Sequence, residues 1–160
     1  MRSQIFKYKD EALEYKLSLL RGGVNYLATV EREALVEIAF QMKLQAYKAD
    51  DLVVKQLDKI DALRLVFDGE LNCLVLSSEA CYVLEKLPTG ASYGLYSVLK
   101  YADRGFGYSR LKIVTSKYSW IARIPISLLL KVKDQYRSLE KSMNRDEQFV
   151  QLKGIPFCDF

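Results

Sequence analysis

Apolar residues recur every three or four positions in the first part of the chain, which is the spacing of amphipathic helices. The pattern predicts a short helix over 10–20, a long helix over 29–48 and a third helix over 50–61. Aspartates before the first and third segments are suitable N-caps, and a Gly-Gly pair after the first would end it. Residues 1–62 are therefore predicted to be the helical part of the protein.

The pattern changes to β-type runs after residue 62. The segments 63–67 and 71–76 are rich in β-forming residues and flank Asp68-Gly69, a pair typical of a tight hairpin turn. The segment 108–115 alternates polar and apolar residues, as a half-buried strand does, and 118–126 predicts a further strand that ends at Pro125. These runs predict a small, mostly antiparallel sheet.

Two further helices are predicted around these strands. A serine at 77 or 78 could cap a short helix ending near Leu87, and Ser127 could cap a long one reaching about Asn144. The run 93–102 fits either a strand or a helix. The fold predicted is a single α+β domain over residues 1–160, with N-terminal helices packed on a small sheet and a long helix near the C-terminus.

The composition argues against an enzyme. The chain has no histidine, which removes Ser-His and Cys-His nucleophiles, His-ligated zinc and the usual proton carrier near neutral pH. No phosphate-binding loop or dinucleotide fingerprint is present. We therefore expect no catalytic residues, no metal and no cofactor, although an enzyme that works with carboxylates and lysine alone is an alternative.

Cysteine content and hydropathy indicate a cytoplasmic protein. Cys73, Cys81 and Cys158 form neither a disulfide framework nor a zinc pattern, and Cys73 and Cys81 are predicted to be small buried side chains. No apolar run approaches the roughly 20 residues of a membrane span, and the first residues contain no secretory leader. We expect no membrane association.

Positive charge is concentrated in one aromatic-rich segment, 97–125, which holds six basic residues against one acidic residue. Aromatic rings stack on bases, and Lys and Arg neutralise phosphates. The alternation places Arg110 and Lys112 on the strand face of Tyr108, with Leu111 and Ile113 on the other face. The leading hypothesis is a non-enzymatic protein that binds single-stranded nucleic acid through Arg104, Phe106, Tyr108, Arg110, Lys112, Lys117 and Trp120. A solvated basic face over buried aromatics is the plainer interpretation.

Two stretches resemble the RNA recognition motif family. Residues 104–111, RGFGYSRL, are similar to its octamer, and 66–71, VFDGEL, to its hexamer. The resemblance implies that Phe106, Tyr108 and Phe67 stack on bases and that Arg104 contacts phosphate. Ser109 and Leu111 depart from the octamer pattern, and the helical front of the chain lies outside the resemblance.

A protein–protein assembly subunit is the other hypothesis. The chain has 11 tyrosines, a residue favoured at interfaces, and the segment 149–160 is too apolar for a free tail. Such a tail could mediate self-association or complete the sheet or groove of a partner. An accessory or structural protein of a larger complex, including a viral one, would have these features.

Overall fold

The computed structural model describes residues 2–24, 27–76, 80–94 and 107–143, and the side chains from residue 12 onward. Three helices have defined bounds: α1 at Arg2–Gly23, α2 at Arg32–Gln41 and α3 at Ile126–Gln135. The chain is helical again over 137–143 after an extended residue at Tyr136. A mixed α+β class is therefore confirmed.

In the described ranges, ten strands, all paired antiparallel, form two four-stranded sheets and one small pair. Sheet A has the order β1-β10-β4-β7, sheet B the order β2-β9-β5-β6, and β3 pairs with β8. The strand bounds are β1 Lys43–Tyr47, β2 Leu52–Val54, β3 Lys59–Ile60, β4 Ala62–Asp68, β5 Glu70–Leu76, β6 Cys81–Pro88, β7 Ser92–Tyr93, β8 Gly107–Tyr108, β9 Lys112–Thr115 and β10 Ser119–Pro125.

Strands replace helix in three places where local patterns predicted helix. The predicted helix over 29–48 ends at Gln41, and its last residues form β1 because they pair with β10 along its length. The third helix predicted over 50–61 is also wrong. Asp51 and Asp58 each accept a hydrogen bond from the backbone N–H three residues earlier, so these carboxylates close turns beside β2 and β3. The helix predicted to end near Leu87 is strand β6.

Asp68-Gly69 carries the chain from one sheet to the other. We predicted a hairpin here, and the two strands are present, but β4 pairs with β10 and β7, whereas β5 pairs with β6 and β9. Gly69 has φ +125°, and a Cβ there would lie 2.1 Å from Ser119 Oγ. Only glycine accommodates both this backbone conformation and the close approach of β10.

Sheet A separates two hydrophobic cores. On one side it packs against α1, α2 and α3, and on the other it faces sheet B. The helix-side core comprises buried aliphatic residues such as Leu17, Leu20, Leu35, Ile38, Leu63, Leu65, Ala122, Ile124, Leu129 and Val132. The sandwich core comprises Val54, Ile60, Val66, Leu71, Cys73, Leu87, Tyr93, Leu111, Ile113 and Ile121.

One of the two cysteine predictions is confirmed and the other is wrong. Cys73 on β5 is a buried member of the sandwich core, as predicted, whereas Cys81 on β6 is exposed. Cys158 lies outside the described residues. Among the described helices, none is long and apolar enough to span a membrane.

Candidate functional site

The predicted site residues that the structure describes do not all lie on one surface. Arg104 and Phe106 lie outside the described residues. Tyr108 on β8 and Arg110 after it are exposed, while the intervening Ser109 is buried, so the predicted alternation is correct over this stretch. Lys112 follows on β9, which belongs to sheet B rather than to the strand pair that contains Tyr108.

Lys112 and Trp120 lie on opposite outer faces of the two-sheet sandwich. Ile113 faces the sandwich core, so Lys112 points outward from sheet B, where it lines a shallow pocket with Leu57 and Asp58. Trp120 lies on the helix side of sheet A in a different pocket. Because two sheets separate these side chains, a single strand of bases could not stack across the predicted set.

The aromatic residues Trp120 and Phe67 of the prediction each pack against a neighbouring aromatic ring. Tyr118 and Trp120 form an edge-to-face pair with ring centroids 6.4 Å apart, and Lys117 is exposed in the turn before them. Tyr15 on α1 packs edge-to-face on Phe67, at 4.9 Å, in the pocket that Trp120 also lines. Phe67, which the resemblance assigned to base stacking, therefore packs between helix and sheet.

The sandwich interior contains hydrogen-bonded polar groups at one end. The Tyr93 hydroxyl and Ser109 Oγ are 2.5 Å apart and both are buried. Ser109 Oγ also donates to the Leu111 carbonyl at 2.6 Å. At Gly94, with φ +105°, the chain leaves β7 beside Ala62, and β8 brings it back against β3. This end of the sandwich therefore joins β3, β4, β7 and β8.

Arg64 is the one charged residue in the middle of β4, and it lies at this same end. Its cross-strand partner on β7 is Tyr93. Its Nη1 atom is buried and has no hydrogen-bond partner in the structure. Burial lowers the pKa of Arg64, and the positive charge of Arg123 lowers that pKa further, while Tyr47, Asp61 and Tyr93 raise it. A guanidinium with an unpartnered nitrogen in a partly desolvated position is suited to bind an anion.

Sequence reasoning missed Arg64, although a signal was present. The run 63–67 was interpreted as a β segment by its apolar members alone. An arginine between buried neighbours on such a strand is unusual, because charged side chains are almost never fully buried without a partner.

Within the described ranges, no group of three or more Cys, Asp and Glu side chains could hold a metal ion.

Comparison with solved structures shows the fold of the chain. The N-terminal domain of a transcriptional regulator from Streptomyces coelicolor matches with a TM-score of 0.72 at 14% identity, covering 85% of this chain and 91% of that one. The regulatory domain of Toxoplasma gondii PKA with cAMP matches at 0.68 and 17% identity, covering 78% of this chain and 46% of that one. A cyclic nucleotide-binding-like protein from Brucella abortus matches at 0.65 and 15% identity, covering 74% and 97%.

These likenesses show a shared fold and no more, and this chain spans less than half of the Toxoplasma structure. No family model matches the sequence, and no curated protein matches it. Of these three structures, two are described as a regulatory domain with cAMP and as a cyclic nucleotide-binding-like protein.

The predicted resemblance to RNA recognition motifs is wrong. That family runs from its first strand into a helix, whereas here the hexamer-like 66–71 crosses from sheet A to sheet B. The predicted nucleic-acid function and nucleic-acid partner are wrong as well, because the structures that match include a regulatory domain of PKA with cAMP and a cyclic nucleotide-binding-like protein. Nothing in the fold supports a viral protein. The apolar tail 149–160 lies outside the described residues.

Proposed function

We propose that the chain is a non-enzymatic regulatory domain that binds a small nucleotide of the cyclic nucleotide class at the end of the sandwich near Tyr93. The observation that carries the proposal is the two-sheet sandwich, which has the fold of domains described as cyclic nucleotide-binding. We treat residues 1–160 as one such domain. A cytoplasmic location, as the sequence predicts, would expose it to nucleotides of this kind.

The interior of the sandwich supports this ligand class. A cyclic nucleotide has an apolar base face, hydroxyl groups and one negative charge. This end of the sandwich has an apolar core, the buried and mutually bonded hydroxyls of Tyr93 and Ser109, and Arg64 as the cross-strand partner of Tyr93, with its unpartnered Nη1. Pockets for small ligands commonly combine apolar walls with a few converging polar groups.

The sequence also supports the absence of catalysis. The chain contains no histidine, and among the described residues no group of three or more Cys, Asp and Glu side chains could hold a metal ion. A domain that only binds its ligand needs neither a nucleophile nor a general base. Its output would be a change in the conformation or association of the polypeptide that contains it.

Titration calorimetry of the whole chain with cAMP and cGMP tests the proposal, with 5′-AMP as the matched control. We expect binding of at least one cyclic nucleotide in the micromolar range or tighter, with 5′-AMP about tenfold weaker or more. The same nucleotide should raise the unfolding temperature, because a ligand at about 100 times its Kd adds about 2.7 kcal/mol of stability. No heat and no thermal shift with millimolar cAMP or cGMP would contradict the proposal.

A further inference from the structure

Three basic residues form a row across sheet A. Lys43 on β1 is directly opposite Arg123 on β10, and Arg123 is directly opposite Arg64 on β4. Arg64 is in turn opposite Tyr93 on β7. Directly opposed residues of antiparallel strands project from the same face of the sheet. Lys43, Arg123 and Arg64 are therefore neighbours on one face, and we call them the cationic row.

The cationic row lies on the inner face of sheet A. Val66 and Ile121, two positions along their strands from Arg64 and Arg123, are members of the sandwich core. Since side chains alternate along a strand, Arg64 and Arg123 face the same side as these two residues. The row thus crosses the end of the sandwich where Tyr93 meets Ser109.

The cationic row is electrostatically unfavourable as it stands. Like charges directly opposite each other on neighbouring strands are destabilising. Asp61 is the only carboxylate in ion-pair contact with the row among the described residues; it bonds Arg123 at 3.1 Å. Arg64 has a buried nitrogen without a partner. One carboxylate for three cations leaves an excess of positive charge that a bound anion would neutralise.

We infer that the cationic row is the subsite for the phosphate group of the ligand, with Arg64 as its main contact. The identity of the ligand as a nucleotide rests on the proposed function, whereas the phosphate chemistry rests on the row. A guanidinium can donate two parallel N–H bonds to phosphate oxygens, and such charge-assisted bonds are among the strongest in proteins.

Access to the row is through the partly exposed surface of Arg64, whose Nη1 atom is itself buried. The residue keeps part of its surface in contact with solvent, so an anion can approach it from the end of the sandwich. Because Nη1 is buried, the guanidinium would have to turn for this nitrogen to bond the anion. Asp61 opposes this binding, because it already neutralises Arg123 and repels a second negative charge.

The test compares three variants with the wild-type chain by calorimetry, using cAMP, cGMP and inorganic pyrophosphate as probes. Arg64→Met replaces the guanidinium by an unbranched apolar side chain and should weaken phosphate binding about tenfold or more. Asp61→Asn should strengthen it about two- to fivefold. Arg137→Met is the matched control, because this exposed arginine lies in the C-terminal helical segment, away from the row, and should leave the Kd unchanged.

The outcomes separate the subsite from the function. Retention of the wild-type Kd for a cyclic nucleotide in Arg64→Met would overturn the subsite and leave the proposed function intact. Binding of pyrophosphate that is lost in Arg64→Met, without binding of cAMP or cGMP, would support the subsite and contradict the proposed function. Failure of the wild-type chain to bind any of the three probes at millimolar concentration would overturn both.

Discussion

The two cores on either side of sheet A differ in chemistry. The buried members of the helix-side core are Leu, Ile, Val, Ala and Met side chains. The sandwich core instead includes the buried hydroxyl of Tyr93, borders the buried Ser109 and lies beside the partnerless Nη1 of Arg64. An all-aliphatic core contributes stability through burial, while polar groups in a core contribute specificity at a cost in stability.

Strand β4 shows the division within a single segment. Leu63 and Leu65 enter the helix-side core, and the residue between them, Arg64, faces the sandwich with Val66. Adjacent residues of one strand therefore have opposite roles. The comparison teaches that stability and ligand chemistry can be separated by the alternation of a strand, without separate domains.

The largest effect that the comparison predicts is that of Leu65→Ala. Leu65 is fully buried in the helix-side core, and its truncation should lower the free energy of unfolding by about 2–5 kcal/mol through lost burial and a residual cavity. Urea unfolding followed by circular dichroism measures it. The matched control is Leu44→Ala on β1, the edge strand of the same sheet, where the side chain is 37% exposed and the change should stay near about 0.5 kcal/mol. Equal losses would remove the distinction that we draw.

A smaller loss is expected from Gly69→Ala, which acts at the crossover between the sheets. The new methyl group would approach Ser119 Oγ at 2.1 Å, and φ is +125°, so we expect a loss of about 1–3 kcal/mol in unfolding free energy. Gly22→Ala is the control: nothing lies within 4 Å of its position in α1, and alanine there should raise stability by about 0.4–1 kcal/mol. An unchanged unfolding free energy in Gly69→Ala would show that the close contact between Gly69 and Ser119 does not constrain the crossover between the sheets.

The smallest effect has the opposite sign. Arg64→Met removes a partly desolvated charge one residue from Leu65, and we expect the unfolding free energy to rise by about 0.5–2 kcal/mol. Thermal unfolding without ligand measures it, with Arg137→Met as the exposed control. A clear loss of stability in Arg64→Met would mean that the guanidinium has a structural role, and would weaken the contrast between the two cores.

The sequence predicts those elements whose pattern is local. Helix α1, strands β4, β5 and β10, and the start of α3 follow from periodicity, because their neighbours in the chain determine which face is buried. Strand β1 and the crossover at Gly69 do not, because each depends on a partner strand far away in sequence. Strand β6 is exposed over most of its length and so has no buried face to predict.

The candidate site was less predictable than the fold. Basic and aromatic residues were selected because they are close in sequence, yet Lys112 and Trp120 lie on opposite sides of the sandwich. The cationic row joins residues 43, 64 and 123, which only the register of sheet A brings together. Arg64 alone carried a detectable signal, as a charge within an apolar strand.

The pairing of β1 with β10 determines when the protein can fold. Lys43 pairs with Arg123, 80 positions later in the chain, and β10 also pairs with β4 on its other side. Contacts between residues distant in sequence slow folding, because the entropy cost of closing a long loop precedes the stabilisation that the contacts provide. Sheet A therefore cannot be completed during synthesis until β10 has left the ribosome. The backbone edge of β1 stays unpaired until then. We expect the nascent chain to be most prone to aggregation, and chaperones to matter most, during that interval.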